Sequence, residues 1–330
     1  EKDFLPLASL KEEAELLTEG NYAKNRNKEL LDILCNSSRY SIVEIGEVEA
    51  LLNDSIQYAA MTFRIDDIYF IVYRGTDMSI AGWKEDLNLG VSGTIESHHL
   101  GLEYANHMLK TYKGNFYLIG HSKGGNIALY VGMNLEEQFQ DRMQQIINFD
   151  GPGFSFDLNN SSAYLRIKEK HIKFIPKDDV IGLLLNHSDA YHVVDSKSIG
   201  VLQHDMYFWK IEHDTFKKVS DISVLSKIFN KTILDWLDSM SMEDKIECVN
   251  AADDFFKKAN ITNLNQLKKL SFSAIKGLIS SSIHLPFKQK KMFASLMFRL
   301  VKYYLKNSVS QIQKKEEPIL ISEDSKSFNL

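Results

Sequence analysis

Five residues constrain this chain more than any others. Gly120-His121-Ser122-Lys123-Gly124 stands between the apolar run Phe116-Tyr117-Leu118-Ile119 and a helix-like run ending Tyr130-Val131-Gly132-Met133. A Gly-x-Ser-x-Gly pattern between a strand and a helix is the setting of a nucleophile elbow, a strained turn that stands the serine at the carboxyl edge of a sheet. Small residues around the turn let strand and helix approach closely. The pattern predicts Ser122 at the tip. It also places the Lys123 amide at a helix N-terminus, where a developing oxyanion is stabilised. Without its flanks the pattern would read as an ordinary βα turn, so the flanking strand and helix carry the argument.

Strand and helix signals alternate on both sides of the elbow. Gln57 to Ile65 and Ile68 to Tyr73 read as strands around an Asp66-Asp67 turn, the second nearly continuous, as if buried on both faces. Leu100 to Tyr112 fits an amphipathic helix with Leu102, Ala105, Met108 and Leu109 on one side. Gln138 to Gln145 reads as a polar helix before the strand Ile146 to Phe149, which Asp150-Gly151-Pro152-Gly153 ends. A further strand, Ile172 to Ile175, runs into Pro176-Lys177-Asp178-Asp179, and Ala190–Val194 with Met206–Ile211 resemble a late strand pair. The alternation predicts an α/β domain with a mostly parallel central sheet over 1–216, preceded by a helical lead-in over 1–45. From Lys217 the spacing turns helical. Residues 217–306 read as a C-terminal helical appendage and 307–330 as a polar, disordered tail. Leu225, Ile228, Phe229, Ile233, Leu234 and Leu237 form one apolar face of the appendage, and Leu296, Met297, Leu300, Val301 and Tyr304 another.

A net charge of -5 argues against nucleic acid as a partner. The two cysteines, Cys35 and Cys248, lie far apart with no ligand set beside them, so neither a disulfide framework nor a metal site is implied, and no cofactor is called for. No apolar run has the length of a membrane span. The chain starts at Glu1 rather than methionine, which reads as a trimmed form. A cytoplasmic location is favoured, with a removed leader left open.

A serine hydroxyl becomes a useful nucleophile only with a base in reach and an acid to orient that base. In α/β-hydrolases the chain order is serine, acid, histidine. Downstream of Ser122, two strand ends offer the acid: Asp150 and the pair Asp178-Asp179. Asp150 before Gly-Pro-Gly reads first as a turn residue. Asp179 ranks ahead of it because it follows the later strand, and one member of its pair reads as solvated or as a cap for Val180 to Leu183. For the base, His171 precedes Asp179, His192 lies inside a strand-like run, His213 sits in a charged turn and His284 in the helical region. His187 stays open on its closeness to Asp179. His204, in a loop before Met206-Tyr207-Phe208-Trp209, ranks first.

Several blocks now resemble one family, the class 3 (fungal-type) lipases, and more closely bacterial lipase-like α/β-hydrolases. Tyr73-Arg74-Gly75-Thr76 resembles the family's oxyanion block, and Trp83-Lys84-Glu85-Asp86-Leu87 its Trp-x-x-Asp-Leu. His99-Leu100-Gly101-Leu102 resembles its His-x-Gly-Phe. Gly120 to Gly125 resembles its Gly-His-Ser-x-Gly-Gly, Asp179-Val180-Ile181 its acid block, and His204 with Tyr207 and Trp209 its late histidine. The resemblance spans about residues 57–212. It implies an α/β-hydrolase fold in which Ser122 is the nucleophile, Asp179 the acid and His204 the base, with Thr76 (amide and hydroxyl) and the Lys123 amide forming the oxyanion hole.

Three positions depart from that pattern. Lys123 stands where an apolar residue is usual, Gly182 where the acid block has proline, and the lid region, about Asp77–Leu87, is short and polar with one large aromatic, Trp83. Action at a lipid interface needs a broader apolar surface. The expected activity is that of a serine esterase or lipase-like hydrolase on a small-molecule ester or lipid. The competing reading is a catalytically inactive relative that binds or scaffolds. The helical region offers a cap for the site, and Lys288-Gln289-Lys290-Lys291 beside Met292-Phe293 offers peripheral contact with anionic lipid.

Overall fold

The structure, a computed structural model, describes residues 4–12, 24–77, 79–187, 190–258, 294–295 and 298–308. A short strand β1 (Leu5–Pro6) and helix α1 (Lys24–Asn36) lead into three antiparallel strands, β2 (Glu44–Leu52), β3 (Gln57–Ile65) and β4 (Ile68–Tyr73). The β3–β4 pair turns through Asp66, whose φ of 50° fits a short polar residue in a tight hairpin. Two helices follow. Ser79 accepts a hydrogen bond from Gly82 N at 3.2 Å and so caps α2 (Ile80–Ser92); Gly93, at φ 74°, ends it, and α3 (Glu96–Thr111) comes next.

Strand β5 (Asn115–His121) then runs parallel to β4 and turns at Ser122 into helix α4 (Lys123–Asn134). Helix α5 (Glu137–Arg142) precedes the parallel strand β6 (Met143–Phe149), and α6 (Ser162–Ile167) precedes β7 (His171–Pro176), again parallel. β8 (His192–Val194) is the last parallel strand. Strands β9 (Ile211–Glu212) and β10 (Thr215–Phe216) form a hairpin outside the main sheet, and β11 (Lys218–Val219) returns to pair antiparallel with β8. Helices α7 (Val224–Asp238) and α8 (Met242–Lys258) follow.

The nine-stranded sheet has the order β1-β2-β3-β4-β5-β6-β7-β8-β11. It is mixed, not mostly parallel: only β4 to β8 run parallel, and both flanks are antiparallel. Hairpins join β2 to β3 and β3 to β4, whereas each parallel neighbour in the centre needed a crossover. The core fills one side. Phe116 and Leu118 of β5 and Ile71 and Tyr73 of β4 meet Ile127, Ala128 and Val131 of α4 and Ala105 and Met108 of α3, all buried. β4 is sealed on that face only; on the other, Phe70 and Tyr117 stack at 5.0 Å while half-exposed.

The registers place the functional strand ends side by side. Tyr73 pairs with Gly120, His121 with Phe149, and Phe149 with Phe174. The residues that follow, Gly75-Thr76, Ser122, Asp150 and Lys177 to Asp179, therefore emerge along one edge of the sheet.

Several expected elements differ. Met206–Phe208 is a 3-10 turn rather than a strand, because Asp205 caps it by accepting Tyr207 N at 3.0 Å, and β8 pairs instead with β11. The sheet therefore reaches beyond residue 217, into the region expected to be all helical. The expected apolar face of α7 is only partly covered: Ile228 is buried, while Leu225 is 70% exposed. Residues 298–308 are helical, and Asn307 Nδ2 donates to Asp235 Oδ2 of α7 at 3.1 Å. His284, the basic stretch 288–291 with Met292-Phe293, and 309–330 of the tail lie outside the described residues. No helix among the described residues is long and apolar enough to cross a membrane.

Candidate active site

Ser122 lies at the turn between β5 and α4 with φ 57° and ψ −129°, a strained conformation for a residue bearing a side chain. The glycines around it are required by contact. A Cβ on Gly120 would run into the Gly124 backbone, and one on Gly124 into the Tyr73 carbonyl. The strand and helix can close the elbow only because both positions lack a side chain. Ser122 N donates to Phe149 O at 2.9 Å, which holds the elbow against the end of β6. Lys123 is the first helical residue, and first-turn amides have no acceptor within their own helix.

The residue that follows β6 is Asp150, fully buried with φ 54°. Its Oδ2 lies 2.6 Å from His204 Nδ1. His204 ends a 3-10 turn (Gly200–His204), and its carbonyl accepts the Nε2–H of His121, the residue before the serine, at 2.8 Å. The two imidazoles lie 4.5 Å apart. Burial lowers the His204 pKa to about 4, so the ring is neutral at neutral pH. A carboxylate can only accept, so Nδ1 carries the proton and Nε2 keeps its lone pair.

The expected contact between Asp179 and His204 is therefore replaced by one from Asp150. Asp179 is turned inward: Oδ1 accepts Gly182 N and Oδ2 accepts Leu183 N, each at 2.9 Å, as a capping carboxylate does. Asp178 acts on the same loop from outside, where Gln203 Nε2 donates to its Oδ2 at 2.7 Å and its amide donates to Gln203 Oε1 at 3.0 Å. Asp150 read as a turn residue because the sequence does not say which strand lies next to β5. Once β6 is that neighbour, its first loop residue stands beside the elbow.

Of the other histidines, His187 packs edge-on to Tyr191, His213 occupies the β9–β10 turn at φ 58°, and His171 packs on Tyr164 at the start of β7. Next to the block His99 to Leu102, the buried imidazole is that of His98, while His99 is exposed. His98 stacks on Tyr130 at 4.2 Å and pairs Nε2 with Asn126 Oδ1 at 2.6 Å.

Thr76 follows β4 beside the elbow. Its hydroxyl donates to Asp86 Oδ1 at 2.9 Å, so the expected donation from that hydroxyl to an oxyanion is replaced by an anchor to α2. Burial raises the Asp86 pKa to about 6. The region expected to be a short lid is a full helix. Ala81, Glu85 and Leu89 face inward, and Trp83 and Leu87 are 43% and 41% exposed. Helix α8 lies against α2, with Lys84 Nζ 3.1 Å from Asp253 Oδ2, so the appendage braces α2.

The Lys123 side chain points away from the site into a sealed polar cluster. Nζ donates to Gln57 O at 2.6 Å and to Glu85 Oε2 at 2.7 Å, and Ser97 Oγ donates to Glu85 Oε1 at 2.6 Å. Glu85 and Gln57 were not legible as site residues, since nothing in their own segments marks them as partners of Lys123. Among the described residues no group of His, Cys, Asp or Glu side chains is arranged to hold a metal ion.

Known structures that resemble the chain include a Rhizomucor miehei lipase, a deletion mutant in complex with its propeptide, at 17% identity over 63% of this chain and 80% of that one, with a TM-score of 0.40. A lipase from Rhizopus microsporus var. chinensis is 15% identical over 67% of this chain and 81% of that one, with a TM-score of 0.33. Likeness at this distance assigns no reaction. No curated protein matches the chain. The family model described as Mbeg1-like matches residues 34–256, more than half of the chain, and the chain belongs to the Mbeg1-like family.

Proposed function

We propose that this protein is a serine hydrolase that cleaves a carboxylic ester or lipid through an acyl-enzyme. The observation that carries the reading is the 2.6 Å contact between His204 Nδ1 and Asp150 Oδ2, on loops that meet behind the strained Ser122 elbow. A neutral imidazole held in one tautomer by a buried carboxylate is what a general base for a serine requires.

In this reading Ser122 Oγ attacks the ester carbonyl and its proton passes to His204 Nε2. The carbonyl oxygen becomes an oxyanion held by the Lys123 and Thr76 amides. The imidazolium then donates its proton to the departing alcohol, leaving an ester on Ser122. Water, deprotonated by the same nitrogen, releases the acid and restores the serine. Asp150 stays ionised throughout and stabilises the charged ring. The partly exposed Trp83 and Leu87 on α2 give an acyl chain an apolar surface to lie on.

The test is a fluorophosphonate probe, which phosphonylates only an activated serine. Wild-type protein should carry one adduct, mapped to Ser122 by mass, and Ser122→Ala none. An adduct elsewhere, or none on folded wild-type protein, would overturn the reading.

A further inference from the structure

The carboxyl groups of Asp150 and Asp179 meet in the interior. Both residues are sealed from solvent, at 0% and 1% exposure, and each carboxyl acts electrostatically on the other. Both reach toward Gly182. A Cβ there would collide with Asp150 Oδ1 and lie 3.3 Å from Asp179 Oδ1, so a side chain at this position would split the pair.

Donors around the pair do not suffice for two carboxylates. His204 Nδ1–H goes to Asp150 Oδ2, Gly182 N–H and Leu183 N–H go to Asp179, and the buried Asp150 Oδ1 is left without a donor of its own. Charge counting agrees. One cation, Lys173, is buried beside the pair and donates Nζ to the Gly182 carbonyl; His204 is neutral. Two carboxylates would leave a net negative charge in a sealed interior, which costs several kcal/mol. A proton on Asp179 would give the orphaned Asp150 Oδ1 the donor it lacks, since ionised oxygens only accept.

We propose that Asp150 and Asp179 share one proton, and that Asp179 is a positioning residue which uses it to fix the Asp150 carboxylate against His204. This rests on the triad reading above. The pair then carries a single negative charge, balanced by Lys173. When Ser122 gives its proton to Nε2, the new imidazolium faces that charge, and the shared proton shifts toward Asp179 without leaving the pair. Burial pushes the Asp179 carboxyl well above the usual carboxylate range, in line with this arrangement.

The first test is infrared difference spectroscopy on the full chain in neutral buffer. Wild type should show the carbonyl stretch of a protonated carboxyl, shifted in D2O. Asp150→Asn and Asp179→Asn should each abolish it, since either change lets the remaining acid ionise. No such band in wild type, or a band that survives in either variant, overturns the proposal.

The second test is the rate of Ser122 phosphonylation. Asp179→Asn keeps a donor and should lose about 10-fold, and Asp179→Ala about 100-fold, the usual range for a group that orients a catalytic one. A loss in Asp179→Asn as large as in Asp150→Asn would make Asp179 an ionised acid and overturn the proposal. The infrared band needs no catalysis. A band without labelling would sink the triad and leave the pair standing, and labelling without the band the reverse.

Discussion

The ammonium of Lys123, the residue after Ser122, lies 2.7 Å from Glu85 Oε2 with both side chains sealed from solvent. This ion pair joins the elbow helix to α2, the helix that also anchors Thr76 through Asp86. The departure at Lys123 is thus compensated by an acid 38 residues upstream, in α2. Gln57 and Ser97 satisfy the remaining bonds.

Breaking that pair should be costly. Lys123→Met leaves Glu85 as an uncompensated buried charge, and the expected loss of stability is about 3–5 kcal/mol. The double variant Lys123→Met, Glu85→Leu should recover most of it, because an apolar pair of similar volume replaces a desolvated ion pair at little net cost. Chemical denaturation of the two variants checks this. A Lys123→Met protein as stable as wild type would show that the pair is structurally idle.

Asp150 and Asp178 should separate sharply. Asp150→Asn can present its amide to Nδ1 and so favour the wrong tautomer of His204, which costs roughly 10⁴-fold in turnover. Asp178→Asn keeps an oxygen able to accept from Gln203 and should lose less than about 10-fold, since it only braces the loop. Steady-state hydrolysis of p-nitrophenyl butyrate checks the pair. Equal losses would move the orienting acid away from Asp150.

The acid limb of the reaction should belong to the carboxyl pair. The competent state has Asp150 ionised and His204 neutral, and both conditions are lost by adding protons, so the rate of Ser122 labelling falls as pH falls. Burial raises the Asp150 pKa to about 6 and lowers that of His204 to about 4, so the carboxyl titrates first. The groups facing this cluster are Asp179, Lys173, His121 and Asp205. His121 stays neutral throughout, its pKa lowered to about 3 by burial. The labelling rate should decline through a midpoint of about 6, and Asp179→Asn should move that midpoint. A single limb at about 4 would assign the loss to His204 instead.

The elbow was legible in the sequence because all its determinants are local. A β-rich run, a serine between glycines and a helix-like run lie within about twenty residues, and each acts through contacts with its immediate neighbours. The strands Gln57–Ile65 and Ile68–Tyr73 were legible for the same reason, and their observed bounds match. His204, ranked first by chain order and loop position, is a histidine that meets a buried carboxylate, that of Asp150. What the chain could not show was which strands become neighbours. Asp150 stands beside His204 because β6 pairs with β5 in a register that aligns Phe149 with His121. Lys123 meets Glu85, and Asp150 meets Asp179, because sheet and helices fold those segments onto each other. Burial then makes each pairing consequential: in water these charges would be screened, whereas in a sealed interior a donor or a counter-charge must be supplied by a distant residue.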